Sequence, residues 1–149
     1  MIHPTAIIDT AAVLGDNVEV GPYCVIGPGV VLGDNVVLKS HVVVRGPSTI
    51  GNRVQIYQFA TVGEDTPALA FEGEDSVLEV GEGTIIREGV TIHRGMAKRG
   101  IQKTIIGSNC LLMAYVHVGH DCIVGNNVIM ANNASLSGHV EVGDFANFG

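Results

Sequence analysis

His120 and Asp121 are the adjacent pair in this chain best suited to do chemistry. A carboxylate beside an imidazole can fix its tautomer, leaving the far ring nitrogen bare to take a proton from a hydroxyl. That is the arrangement of a general base. A backbone N–H at Gly138 is suited to meet a developing oxyanion nearby. His93, Arg94, His117 and His139 complete the set, so four of the six histidines are involved. Each has a plainer reading. His117 and His139 could be solvated turn residues, His93 and Arg94 could simply open a loop, and Asp121 could hydrogen-bond its own turn. What lifts them above that reading is the element that gathers them.

That element is a six-residue beat. Aliphatic residues fall at Ile2, Ile8, Leu14, Val20, Ile26, Leu32, Leu38, Val44, Ile50, Ile56 and Val62. Four residues after each stands a small or β-branched side chain, from Ala6, Ala12 and Val18 to Val54 and Ala60. So short a repeat cannot bury a hydrophobic face alone, and its neighbours must stack into a solenoid. Three strands per coil give 18 residues per turn of a parallel β-helix. Glycines one place after the aliphatic residue, such as Gly15, Gly21 and Gly33, mark corners that need positive φ or close backbone approach.

The beat resumes at Val80, Ile86 and Ile92 and again from Ile106 to Phe148. The step from Val62 to Val80 is 18 residues, one full coil, so the acidic stretch 64–77 reads as degenerate hexapeptides. The step from Ile92 to Ile106 is 14, so part of 93–105 must loop out. This predicts about eight coils in a single domain over 1–149. Allowing for the looped-out residues, His120 lies under Gly138 and over Arg94, Asp121 under His139, and Gly119 over His93. The candidate residues thus meet at three levels of one corner. The ordinary crossover rule makes such a coil right-handed.

Composition narrows the function. Eight basic against fifteen acidic residues give a net charge of −7, which argues against a nucleic-acid footprint. The sequence offers no signal peptide or transmembrane stretch, pointing to a cytoplasmic protein without stable membrane insertion. Cys24, Cys110 and Cys122 occupy the small position of the repeat and read as core residues, not as nucleophiles or metal ligands. Arg94, Lys98, Arg99 and Lys103 carry half of the basic charge on the looped-out segment. They form either a solvated loop or a landing site for an anionic partner.

At IYQFATVGE (56–64), IREGVTIHRG (86–95) and HVGHDCIVGNNVIMANNASLSGHVEVGD (117–144) the chain resembles the hexapeptide-repeat acyltransferases of lipid A biosynthesis. The resemblance implies a left-handed parallel β-helix, an exception to the crossover rule, and a homotrimer with sites between subunits. It implies transfer of a 3-hydroxyacyl group from acyl carrier protein to UDP-N-acetylglucosamine, without metal or prosthetic group. His120 matches the general base, Asp121 its orienting partner and Gly138 the oxyanion donor; His117 and His139 match sugar-nucleotide contacts. It also implies further coils and a carboxy-terminal helical domain after residue 149. Pro67, Ala68, Leu69 and Ala70 depart from the polar Gln-Asp-Leu-Lys-like stretch usual in the family. Two readings compete: a non-catalytic trimeric scaffold, and a γ-carbonic-anhydrase-like zinc site, for which the needed second histidine is replaced by Gly125.

Overall fold

The computed structural model describes all residues 1–149, and contains strands and turns without a helix. Twenty-one strands, β1 (Ile7–Ile8) to β21 (Asn147–Phe148), distribute every third one into the same sheet. The result is three seven-stranded parallel sheets forming the faces of a left-handed triangular β-helix. Ile2 bridges to Val20 and adds an eighth level to one face. Register is 18 residues per coil wherever the beat is unbroken, as in Ile8↔Ile26 and Val118↔Leu136.

The expected eight full coils reduce to seven plus that single segment, because 64–77 is not a degenerate coil. Strand β10 (Thr61–Glu64) is followed directly by β11 (Val77–Val80) on the next face, and Val62 pairs with Ile92 while Val80 pairs with Ile50. Eighteen residues therefore cover one six-residue step, and twelve protrude. The second excursion lies where it was expected, between β13 (Thr91–His93) and β14 (Lys103–Ile106). Both leave the same corner of the prism, one coil apart. This is the corner that also carries the candidate residues.

Thirty buried side chains, almost all Val, Ile, Leu and Cys, fill the interior. Large residues at the aliphatic position alternate with small ones at the position four later, so successive coils interdigitate without aromatic bulk. The three cysteines belong to this core. Their thiols donate to corner carbonyls, Cys122 Sγ to Ser137 O at 3.1 Å for example, and burial pushes their pKa values up. Replacing Ile86, which is wholly buried, by alanine removes three carbons that cannot be refilled. A loss of about 2–5 kcal/mol is expected in urea unfolding; a loss under 0.5 kcal/mol would mean the core relaxes freely.

The corners divide the work differently from the glycine expectation. Gly21 has no positive φ; a Cβ there would stand 2.3 Å from Lys39 O, so the need is close approach. Positive φ falls two residues later, on Asn17, Tyr23, Asn35, His41, Phe59, Asp121 and His139 among others. Along one corner Tyr23, His41 and Phe59 form an exposed aromatic ridge, with Tyr23–His41 and His41–Phe59 ring centroids 5.1 and 5.2 Å apart. Tyr115 continues it over Gly89.

Candidate active site

Strand β16 (His117–Val118) runs through Gly119 into the corner at His120 and Asp121. Asp121 is the left-handed corner residue, with φ 59°, and this conformation turns its side chain back under the coil. Its backbone N–H donates to Thr104 Oγ1 at 2.9 Å, and its carboxylate is fully enclosed. His120 Nδ1 stands 2.8 Å from Asp121 Oδ2. The other groups at the carboxylate, the N–H of Met96 and of Ile101, are donors, so Nδ1 donates to it and, in the neutral ring, Nε2 is the bare nitrogen.

Nε2 points toward the next coil, where Gly138 begins the corner after β19 (Ser135–Leu136). A Cβ at Gly138 would lie 2.4 Å from Nε2, so only a glycine leaves the nitrogen approachable from that side. The Gly138 N–H makes no hydrogen bond within the chain. His139, exposed, meets the His120 ring edge-on at 4.9 Å. One coil earlier, His93 and His117 pair with centroids 5.3 Å apart. His117 Nδ1 is held by Thr91 Oγ1 at 2.8 Å, and His93 Nδ1 sits 2.9 Å from Asp65 O.

These groups surround one groove of about 230 Å³, lined by His93, His117, Gly119, His120 and Gly138 with Thr66, Pro67 and Ala68 of the first excursion opposite. Six of the seven candidate residues thus gather at the corner. Arg94 is the correction: it is buried and does not face the groove. Its guanidinium donates to Gly63 O at 2.6 Å and pairs with Asp65, tying down the base of the first excursion. The basic segment is likewise partly neutralised within the chain, since Lys98 pairs with Glu72 at 2.5 Å. Sequence reasoning missed Thr66 and Thr91, each of which uses a hydroxyl to hold its neighbour. It also missed the groove wall itself, because 64–77 was counted into the coil.

Burial, and secondarily the neighbouring His93, push the His117 pKa below its usual 6.5. The unfolded chain therefore binds this proton first as pH falls. Stability should decline from about pH 6.5 downward until the folded His117 also titrates. Thermal melting of parent and His117→Gln between pH 7.5 and 5 checks this: the variant should show a flatter decline, and parallel curves would contradict it. Donor atoms of His120, Asp121 and His139 lie within 4.8 Å of one another. The Asp121 oxygens, however, already accept two main-chain N–H groups and an imidazole, and are closed to solvent.

Comparison with known proteins agrees with this architecture. The model of the bacterial transferase hexapeptide family (six repeats) matches residues 11–46 and 103–138. The chain is 56% identical over 146 residues to an acyl-[acyl-carrier-protein]–UDP-N-acetylglucosamine O-acyltransferase of Stutzerimonas stutzeri, covering 98% of this chain and 56% of that protein. The structure of LpxA from Acinetobacter baumannii superposes with a TM-score of 0.96 at 48% identity, over 98% of this chain and 56% of the other. The Francisella novicida UDP-N-acetylglucosamine acyltransferase gives 0.96 at 41%, over 99% and 53%. The chain thus spans about half the length of the relatives it matches. Over the length it covers, the chain is similar in sequence and in its β-helix to these UDP-N-acetylglucosamine acyltransferases.

Proposed function

We propose that the groove transfers a 3-hydroxyacyl group from acyl carrier protein to the glucosamine 3-hydroxyl of UDP-N-acetylglucosamine, the opening reaction of lipid A biosynthesis. The observation that carries this reading is the His120–Asp121 pair, with Nδ1 committed to a buried carboxylate and Nε2 turned to the groove beside Gly138. In the reaction, His120 Nε2 takes the hydroxyl proton as the sugar oxygen attacks the thioester carbonyl carbon. The oxyanion of the tetrahedral intermediate accepts the Gly138 N–H. Collapse restores the carbonyl, breaks the carbon–sulfur bond, and returns the proton from Nε2 to the departing thiolate. His93 and His117 line the groove for the sugar nucleotide, with His139 set against the His120 ring beside it; Arg94 serves by holding the excursion that forms the opposite wall.

The homotrimer implied by the family resemblance is part of the proposal. The exposed ridge of Tyr23, His41, Phe59 and Tyr115 supports it, being apolar surface that a second copy would cover. No helix of the chain is long and apolar enough to cross a membrane; a cytoplasmic location remains part of the reading. Pro67 and Ala68 give their part of the wall no side-chain donor, so a sugar nucleotide loses partners there worth about 1–3 kcal/mol.

The test is acyl transfer by this protein from a 3-hydroxyacyl carrier protein to UDP-N-acetylglucosamine, followed by mass spectrometry. An acylated sugar nucleotide is expected. Binding of the nucleotide without turnover would shift the donor or acceptor away from that pair. Absence of both would leave the scaffold reading.

A further inference from the structure

The second excursion does more than protrude. Between Arg94 and Gln102 it folds back against the corner of the next coil, and its main chain closes on Asp121. Met96 N–H lies 3.1 Å from both carboxylate oxygens, and Ile101 N–H lies 3.0 Å from Oδ1. Neither amide belongs to the coil. With His120 Nδ1 on Oδ2, the carboxylate is held from two sides by the loop and from a third by the ring it orients.

Gly100 is what makes room for this. A Cβ at that position would stand 2.5 Å from Asp121 Oδ1, 2.5 Å from Oδ2 and 2.5 Å from Met96 O. Even a methyl group would displace the carboxylate or open the loop. Gly95 is similarly close to Oδ1, at 2.7 Å, but a Cβ there would first strike Lys103 N at 2.2 Å, which makes it a constraint on the strand. The loop is in turn braced against the first excursion by Lys98 on Glu72 and by Ala97 N–H on Glu74 Oε2 at 3.2 Å. The carboxylate is therefore seated by a structure that also holds the far wall of the groove.

We propose that the second excursion is a main-chain clamp on the Asp121 carboxylate, and that Gly100 is a positioning residue for His120. Its bare Cα lets the carboxylate stand at once against Met96 N–H, Ile101 N–H and His120 Nδ1. The role of His120 in transfer rests on the acyltransferase reading; the clamp does not.

The experiment reads the ring directly. In protein labelled with ¹⁵N-histidine, the parent should show His120 as a single neutral tautomer protonated at Nδ1. Gly100→Ala should convert it to a mixture with the Nε2-protonated form. In the transfer assay the same variant should lose about tenfold in kcat, with KM for the sugar nucleotide kept within about twofold. Ile101→Pro, which deletes one donor without adding bulk at 100, should shift the tautomer in the same direction. Ile101→Ala keeps the amide, trims an exposed side chain and should match the parent. Should Gly100→Ala fail to fold, Ile101→Pro decides alone. Retention of the Nδ1–H tautomer in the folded variants overturns the clamp, whatever happens to kcat. The ring signal needs no substrate, so a parent without transfer activity whose variants still shift the tautomer would fault the acyl-transfer reading and spare this one.

Discussion

His120→Ala should lower kcat for acyl transfer by about 10²–10⁴-fold, the usual worth of a positioned general base. KM for the sugar nucleotide should change little, because the ring acts on a proton that moves only in the transition state. The variant should fold. The His120 side chain lies outside the packed interior, and Asp121 keeps both main-chain donors when the imidazole is removed. Comparable melting temperatures would establish that the loss is chemical. If more than a tenth of the parent rate survives in a folded variant, the base lies elsewhere, with His139 the nearest alternative at 4.9 Å between centroids.

Asp121→Asn should have an effect of similar size by a different route. Asparagine matches the carboxylate in shape, and its single oxygen can accept from Met96 and Ile101 N–H. Its amino group must then face His120 Nδ1. A donor there makes Nδ1 the acceptor and moves the ring proton to Nε2, the nitrogen that must be bare. The equivalent exchange in Ser-His-Asp hydrolases costs about 10⁴ in kcat, and a loss of roughly 10²–10⁴ is expected here. Stability should fall by only about 1–3 kcal/mol, the cost of weakened buried hydrogen bonds. A rate within threefold of the parent would remove Asp121 from the mechanism. Equal losses in kcat and in folded population would reduce it to a structural residue.

The two excursions mark how far the sequence could be read. A gap of 14 between Ile92 and Ile106 is not a multiple of six, so it betrays extra residues by length alone. The gap of 18 between Val62 and Val80 equals three hexapeptides and conceals its twelve extra residues. The available signal was chemical: Ala68 and Glu74 stand where aliphatic residues should, and a buried carboxylate there has no partner in a repeat core. The grouping of His117, His120, Asp121, Gly138 and His139 survived this miscount because all five follow both excursions, where register is simply 18. The left-handed corner residues Asn17, Asn35, Asn109 and Asn127 were passed over in favour of the glycines, although asparagine tolerates positive φ and could have marked them. Tyr23, Arg53 and Phe59 carry no such mark. The donors to Asp121 escaped for a different reason: they are main-chain amides, present at every position and marked at none.

A helix whose levels are set by backbone hydrogen bonds is also a ruler. Its graduation, the separation of adjacent parallel strands, is about 4.8 Å. His120 and Gly138 occupy neighbouring graduations on one edge, so the distance from the proposed proton acceptor to the proposed oxyanion donor is fixed by the pitch of the whole prism. No single side chain can loosen it, and none can shorten it; the only permitted adjustments are whole coils. Loops that leave such an edge can vary in length and composition without disturbing the graduations beneath. Substrate preference can therefore change in the excursions while the spacing that the chemistry uses stays where the coil puts it.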